Sequence, residues 1–159
     1  MTTNTGTATI TTPASTQILI TREFNAPKAA IWTVWTTPDH VRRWWAGGQG
    51  QMTLVDLDFR VGGRWRLVLD SEGHEVGFHG EYLEIDPEER IVWTETYEGA
   101  PEAPPTTNTL TLTEEAGRTT LRLLTECADE GLRDTILQSG MEVGVQGQMD
   151  TIEVLATSL

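Results

Sequence analysis

The first residues show no hydrophobic period. Residues 1–15 are dominated by threonine, carry Pro13, and bury too little apolar surface to offset the entropy of ordering, so they read as a disordered tail. From Gln17 the pattern changes: Ile18, Ile20 and Phe24 fall at even spacing and predict a half-buried strand over Gln17–Phe24. Asn25-Ala26-Pro27 then supplies a cap and an early proline, and Ile31, Trp32 and Trp35 recur as neighbours on one helix. After Thr37-Pro38-Asp39 a second short helix runs to Trp45. Four strand-like segments follow, Met52–Phe59, Arg64–Asp70, His74–Ile85 and Arg90–Tyr97, punctuated by Gly62-Gly63, Asp70–Gly73 and Asp86–Glu89. A loop with Pro101, Pro104 and Pro105 leads to two more, Asn108–Glu114 and Thr119–Cys127. From about Asp129 to Ser158 the period becomes helical, and roughly 28 residues at a rise of ~1.5 Å predict a rod of about 40 Å.

Helices and strands therefore come in blocks, which predicts an α+β chain. The order corresponds to a helix-grip fold: a curved antiparallel sheet of about six or seven strands around a long C-terminal helix, with two short helices after the first strand. Residues 16–159 suffice for one domain. On the final helix Glu142, Gln146, Asp150 and Glu153 share one side, with apolar residues over the remaining arc. Gly140, Gly144 and Gly147 form a narrow stripe, each costing about 1 kcal/mol of helix stability relative to alanine. Close packing is expected at Gly140 and open space beside Gly144.

Charge narrows the partners. With 11 basic and 24 acidic residues the net charge is -13, which repels nucleic acid and anionic lipid. No apolar run approaches the ~20 residues of a membrane helix, and the N-terminus lacks a signal-like pattern, so a cytoplasmic location and no membrane partner are expected. Cys127 is the sole cysteine and is expected to be a small buried residue.

Candidate chemistry lies on the strands. Trp65, Leu67 and Leu69 alternate with Arg66, Val68 and Asp70; Val76, Phe78, Gly80 and Tyr82 share a face, as do Ile91, Trp93, Glu95 and Tyr97. Six tryptophans in 159 residues invite a cavity wall as well as a core. The expected lining is Trp35, Trp44, Trp45, Phe59, Trp65, Leu67, Phe78, Tyr82 and Trp93 from helices and sheet, with Met141, Gly144, Val145 and Met149 from the final helix. Arg64 or Arg66, His79, Tyr82 and Glu95 are the polar groups a catalytic version would use; His79 could pair with Glu81 as acid and base, but a surface hydrogen-bonded histidine is the favoured reading. His40, His74 and His79 are too scattered for a metal site, and neither metal nor cofactor is expected.

Four segments, ITREFNAPKAAIWTVWTTPDHVRRWW, DFRVGGRWRLVL, GEYLEIDPEERIVWT and SGMEVGV, resemble the homologues of the heat-shock-protein-90 ATPase activator's C-terminal domain. That family belongs to the START-like, birch-pollen-allergen-like superfamily, also called SRPBCC. The resemblance runs from about Gln17 onward and implies the helix-grip fold. Val145 stands where related sequences often carry an aromatic, which would leave extra volume in a cavity. Superfamily members range from lipid and hormone carriers to polyketide aromatase/cyclases. The resemblance does not choose among these; the inward-turned rings make a non-catalytic site for an apolar or amphipathic small molecule, between sheet and C-terminal helix, the leading expectation. An aromatase/cyclase-like enzyme and a protein-interaction module related to the chaperone activators are the alternatives, with a weak homodimer or protein partner left open.

Overall fold

A computed structural model describes residues 7–159. In chain order it contains β1 (Thr9–Thr11), β2 (Gln17–Phe24), α1 (Lys28–Thr36), α2 (Pro38–Trp44), β3 (Gln51–Leu57), β4 (Arg64–Ser71), β5 (His74–Asp86), β6 (Arg90–Tyr97), β7 (Thr106–Glu115), β8 (Arg118–Glu126), α3 (Glu130–Leu137) and α4 (Met141–Thr157). The strands form one curved antiparallel sheet in the order β1-β2-β8-β7-β6-β5-β4-β3, and α1, α2 and α4 pack together on its inner face. This is the helix-grip architecture that the pattern predicts, with eight strands where about six or seven are expected.

The additional strand comes from the segment read as tail. Thr9–Thr11 pair with Leu19–Thr21, and the Gln146 side chain brackets Ala8, its Oε1 accepting from Ala8 N and its Nε2 donating to Ala8 O, both at 2.9 Å. Pairing with an existing edge and a glutamine clamp satisfies the backbone of a segment whose side chains have little to bury. The tail reading over residues 1–6 lies outside the described residues.

Along β2 the alternation is regular, and Ile18, Ile20 and Phe24 point inward as predicted. Arg22 points inward with them and is 2% exposed. Its guanidinium reaches α4, with Nη1 3.0 Å from Asp150 Oδ1 and Nη2 3.6 Å from Glu153, and it lies 5.1 Å from the centre of the Phe24 ring. The polar side of the final helix is thus a clamp on the first two strands: Gln146 holds β1, and Asp150 and Glu153 hold β2. On its opposite arc Val145, Met149, Ile152, Leu155 and Ala156 enter the core.

The predicted continuous rod is two helices. Gly140 adopts φ 86, a left-handed conformation that interrupts the helical ladder and serves as the N-cap of α4. Preceding it, α3 starts at Asp129, whose side chain accepts from Leu132 N at 2.7 Å, and it buries no residue fully. The glycine stripe is also reassigned. Open space surrounds Gly140, whereas a Cβ on Gly147 would fall 2.4 Å from Gly47 O and one on Gly47 2.5 Å from Gly144 O. The loop after α2 therefore lies backbone against backbone on α4, and Gln148 Nε2 donates to Trp45 O at 2.6 Å.

Candidate functional site

Alternation along β4 sends Trp65 and Leu67 inward and Arg64 and Arg66 outward. Tyr82 on β5 and Trp93 and Glu95 on β6 take the inward face, and the pairings Trp65↔Gly80 and Tyr82↔Trp93 set them side by side. Facing them, α1 contributes Trp35, α2 contributes Val41 and Trp44, and Trp45 follows at the end of α2. Leu57 closes the β3 side. These residues surround a partly open space of about 60 Å³, and Trp35, Trp45, Leu57 and Glu95 of its wall are half-buried. A volume of that size has room for a few waters or one compact group, well short of the roughly 300 Å³ at which drug-sized pockets begin.

The rings fix one another. Trp35 lies 4.7 Å from Trp44 and 6.1 Å from Trp93 between ring centres, at tilted angles that aromatic quadrupoles favour over flat stacking. Trp44 Nε1 donates to Val34 O at 2.9 Å, which ties α2 to α1, and Trp65 Nε1 donates to Thr94 O at 3.2 Å. The second bond spans a gap in the β5–β6 pairing, within which the register is unchanged. Pairing between β5 and β6 runs to His79↔Thr96 and resumes at Tyr82↔Trp93, and in the interval Thr94 Oγ1 accepts from Glu81 N at 3.1 Å. Gly80 is required there, since a Cβ would lie 1.8 Å from Thr94 O and 2.8 Å from Trp65 Nε1.

Glu95 is the one carboxylate in the pocket wall. Burial pushes its carboxyl up to about 7, against a weaker downward pull from a hydrogen bond with Trp93. Burial likewise pushes the Tyr82 phenol up, with the charge of Asp58 adding to it, so the phenol keeps its proton throughout the physiological range. The two polar groups of the pocket are therefore a carboxyl poised near neutrality and a neutral phenol.

Arg66 and His79 lie on the other face of the sheet and do not join Tyr82 and Glu95. Glu98 pairs with both: Arg66 Nε and Nη2 donate to it at 2.9 and 2.8 Å, and His79 Nδ1 lies 2.8 Å from Glu98 Oε2. The Arg66 hydrogen bonds first, and then His79, hold the Glu98 carboxyl at about 2. His79 is an exposed, hydrogen-bonded histidine as the favoured reading has it, and its partner is Glu98, not Glu81, because Glu98 N bonds Gly77 O and so brings that side chain alongside β5. A shallow groove of about 380 Å³ runs along this outer face past Arg64, Arg66, His79 and Thr96. Trp65 lines both the groove and the inner pocket.

Of the expected lining, Trp35, Trp44, Trp45, Trp65, Leu67, Tyr82 and Trp93 meet around the pocket. Phe59 and Phe78 stand behind it: Phe59 packs edge-on against Tyr82 at 5.0 Å and Phe78 against Trp45 at 4.9 Å. Met141, Gly144, Val145 and Met149 take no part, since Val145 and Met149 are packed into the core and no residue of α4 reaches the space. The pocket therefore lies between the sheet and α1–α2, where the sequence placed it between sheet and C-terminal helix. Val41 and Leu57 were missed. Val41 sits one helical turn before Trp44–Trp45, a spacing that could have signalled it.

A curved antiparallel sheet gripping a C-terminal helix, with short helices over an aromatic pocket, defines the START-like (SRPBCC) class. The chain belongs to the Activator of Hsp90 ATPase homolog 1-like protein family, whose model matches residues 25–157. No curated protein matches it in sequence. Among solved structures it is similar to a protein of Rhodobacter sphaeroides, with 24% identity, 96% of this chain and 99% of that chain covered, and a TM-score of 0.87. A Mycobacterium smegmatis protein is similar at 24% identity, with 96% and 98% covered and a TM-score of 0.85. CalU16 of Micromonospora echinospora follows at 22% identity, with 95% and 89% covered and a TM-score of 0.61. At these identities the likeness establishes the fold alone. Among the described residues no helix is long and apolar enough to cross a membrane.

Proposed function

We propose that the chain binds the compact apolar end of an amphipathic small molecule in the aromatic pocket, with Glu95 as polar anchor and no chemical step. The observation that carries this reading is the convergence of five tryptophans and Tyr82 on an open space holding a single carboxyl group. Concave, mostly apolar sites with one or two convergent polar groups are the usual form of small-molecule sites. The volume limits what enters: a sterol or polyketide skeleton would have to leave most of its bulk outside. Burying about 100 Å² of apolar ligand surface contributes roughly 2.5 kcal/mol, so contacts at the mouth must supply the remaining affinity. In a thermal-shift screen of amphipathic compounds, a ligand at 100 times its dissociation constant is expected to add about 2.7 kcal/mol of stability and to quench tryptophan emission. If no compound with a compact apolar end moves either signal, the binding reading fails.

A second reading has its own support. A general acid or base works best with a pKa near the operating pH, and the Glu95 carboxyl at about 7 lines the same pocket as the Tyr82 phenol. On this reading the chain is an enzyme of the aromatase/cyclase kind, with Glu95 moving a proton and Tyr82 donating a hydrogen bond. A bound compound that wild type converts and Glu95→Gln binds without converting would establish it. Equal rates in the two proteins would exclude it. An interaction module has less support, because Trp44 is only 3% exposed and Trp45 is half-buried, so neither builds an apolar contact surface.

A further inference from the structure

We propose that the group this pocket takes is a compact organic cation, an alkylated ammonium carried on an apolar stem; the inference rests on the pocket-binding reading above. Three features of the wall point the same way. The first is the rings. Trp35, Trp44, Trp45, Trp65, Trp93 and Tyr82 line the space, and aromatic faces carry the negative part of the ring quadrupole, which attracts cations. The N–H groups of Trp44 and Trp65, which would otherwise favour an anion or a carbonyl, are already spent on Val34 O and Thr94 O.

The second is the missing countercharge. Glu95 forms no ion pair with an arginine, lysine or histidine among the described residues, and the nearest arginines in sequence register, Arg64 and Arg66, are turned to the outer face. From α1, α2, β3 and β4 the wall receives only apolar side chains, and from β5 the un-ionised Tyr82. Glu95 is a half-buried carboxylate with no protein cation beside it, so its desolvation is uncompensated, and a ligand cation offsets that cost.

The third is size. About 60 Å³ suits a methylated ammonium head, whereas a ring system would need several times that volume. The net charge of -13 adds a long-range field that concentrates cations around the molecule.

The test uses phenyltrimethylammonium and its uncharged carbon isostere tert-butylbenzene as probes of equal shape, with binding followed by tryptophan fluorescence on the full chain. At pH 8 the cation is expected to bind at least 10-fold tighter than the isostere. Glu95→Gln is expected to reduce cation affinity at least 10-fold and to leave tert-butylbenzene unchanged. In wild type, without any substitution, the preference is expected to shrink between pH 8 and pH 5.5 as Glu95 takes up a proton. Equal affinities at pH 8, tighter binding of tert-butylbenzene, or a preference indifferent to both pH and Glu95→Gln would overturn the cation inference while leaving the pocket reading in place. Binding of neither probe to wild type would overturn both.

Discussion

At the scale of single residues Glu95 sets the pH response. Its carboxyl titrates at about 7 in the folded chain against an ordinary 4.5, so between these values the folded chain holds a proton that the unfolded chain has released. Its contribution is fully present below pH 4.5 and is lost as pH rises through 7. Glu95→Gln is therefore expected to exceed wild type by about 1–3 kcal/mol in urea unfolding at pH 8 and to match it near pH 4.5. A wild-type slope preserved in the variant would exclude burial of this carboxyl as the cause. Glu98 has the opposite sign: held at about 2, its contribution is present above pH 4.5 and is lost as pH falls through 2. The period-two alternation that grouped Trp65 with Leu67, Tyr82 with Phe78, and Trp93 with Glu95 on shared strand faces also turns Arg66 away from Trp65 and His79 away from Tyr82. The polar groups suggested for catalysis straddled that divide. Glu98 was not legible, because its approach to Arg66 and His79 depends on how the chain leaves β6 beside Gly77.

Among the elements, α4 carries the most information and was read only in part. Its polar side was visible as a stripe, but nothing local could say that it faces β1 and β2, since Arg22 and Asp150 are 128 positions apart. Arg22→Ala is expected to cost about 2–3 kcal/mol by chemical denaturation, less than a fully enclosed pair would, because the Asp150 side chain is 60% exposed. Combining Arg22→Ala with Asp150→Ala should cost less than the sum of the two singly, and strict additivity would mean that the pair is not coupled. The interruption at Gly140 was concealed for a different reason. A glycine inside a helical period is compatible both with a continuous helix and with a left-handed stop, and the distinction depends on whether α3 has a surface to pack against. Val145 and Met149 of α4 are buried in the core, and the pocket is walled by α1, α2 and the sheet.

Over the whole molecule, block order and residue periodicity were enough for the sheet, the paired short helices and the gripping C-terminal helix. The pocket's location was not, because a wheel and an alternation name faces without saying which two faces meet. The same limit hid β1, whose pairing uses backbone groups that carry no sequence pattern. Removing residues 1–12 is expected to uncover the edge of β2, to lower stability by about 1–2 kcal/mol, and to promote self-association detectable by light scattering. A truncated chain that stays monomeric and as stable as the full chain would show that β1 contributes nothing. A further consequence comes from Trp65, whose indole stands in the interval between β5 and β6 with the inner pocket on one side and the outer groove on the other. One indole thus borders both spaces, like a pane between two rooms, and its fluorescence is expected to register what settles on either side.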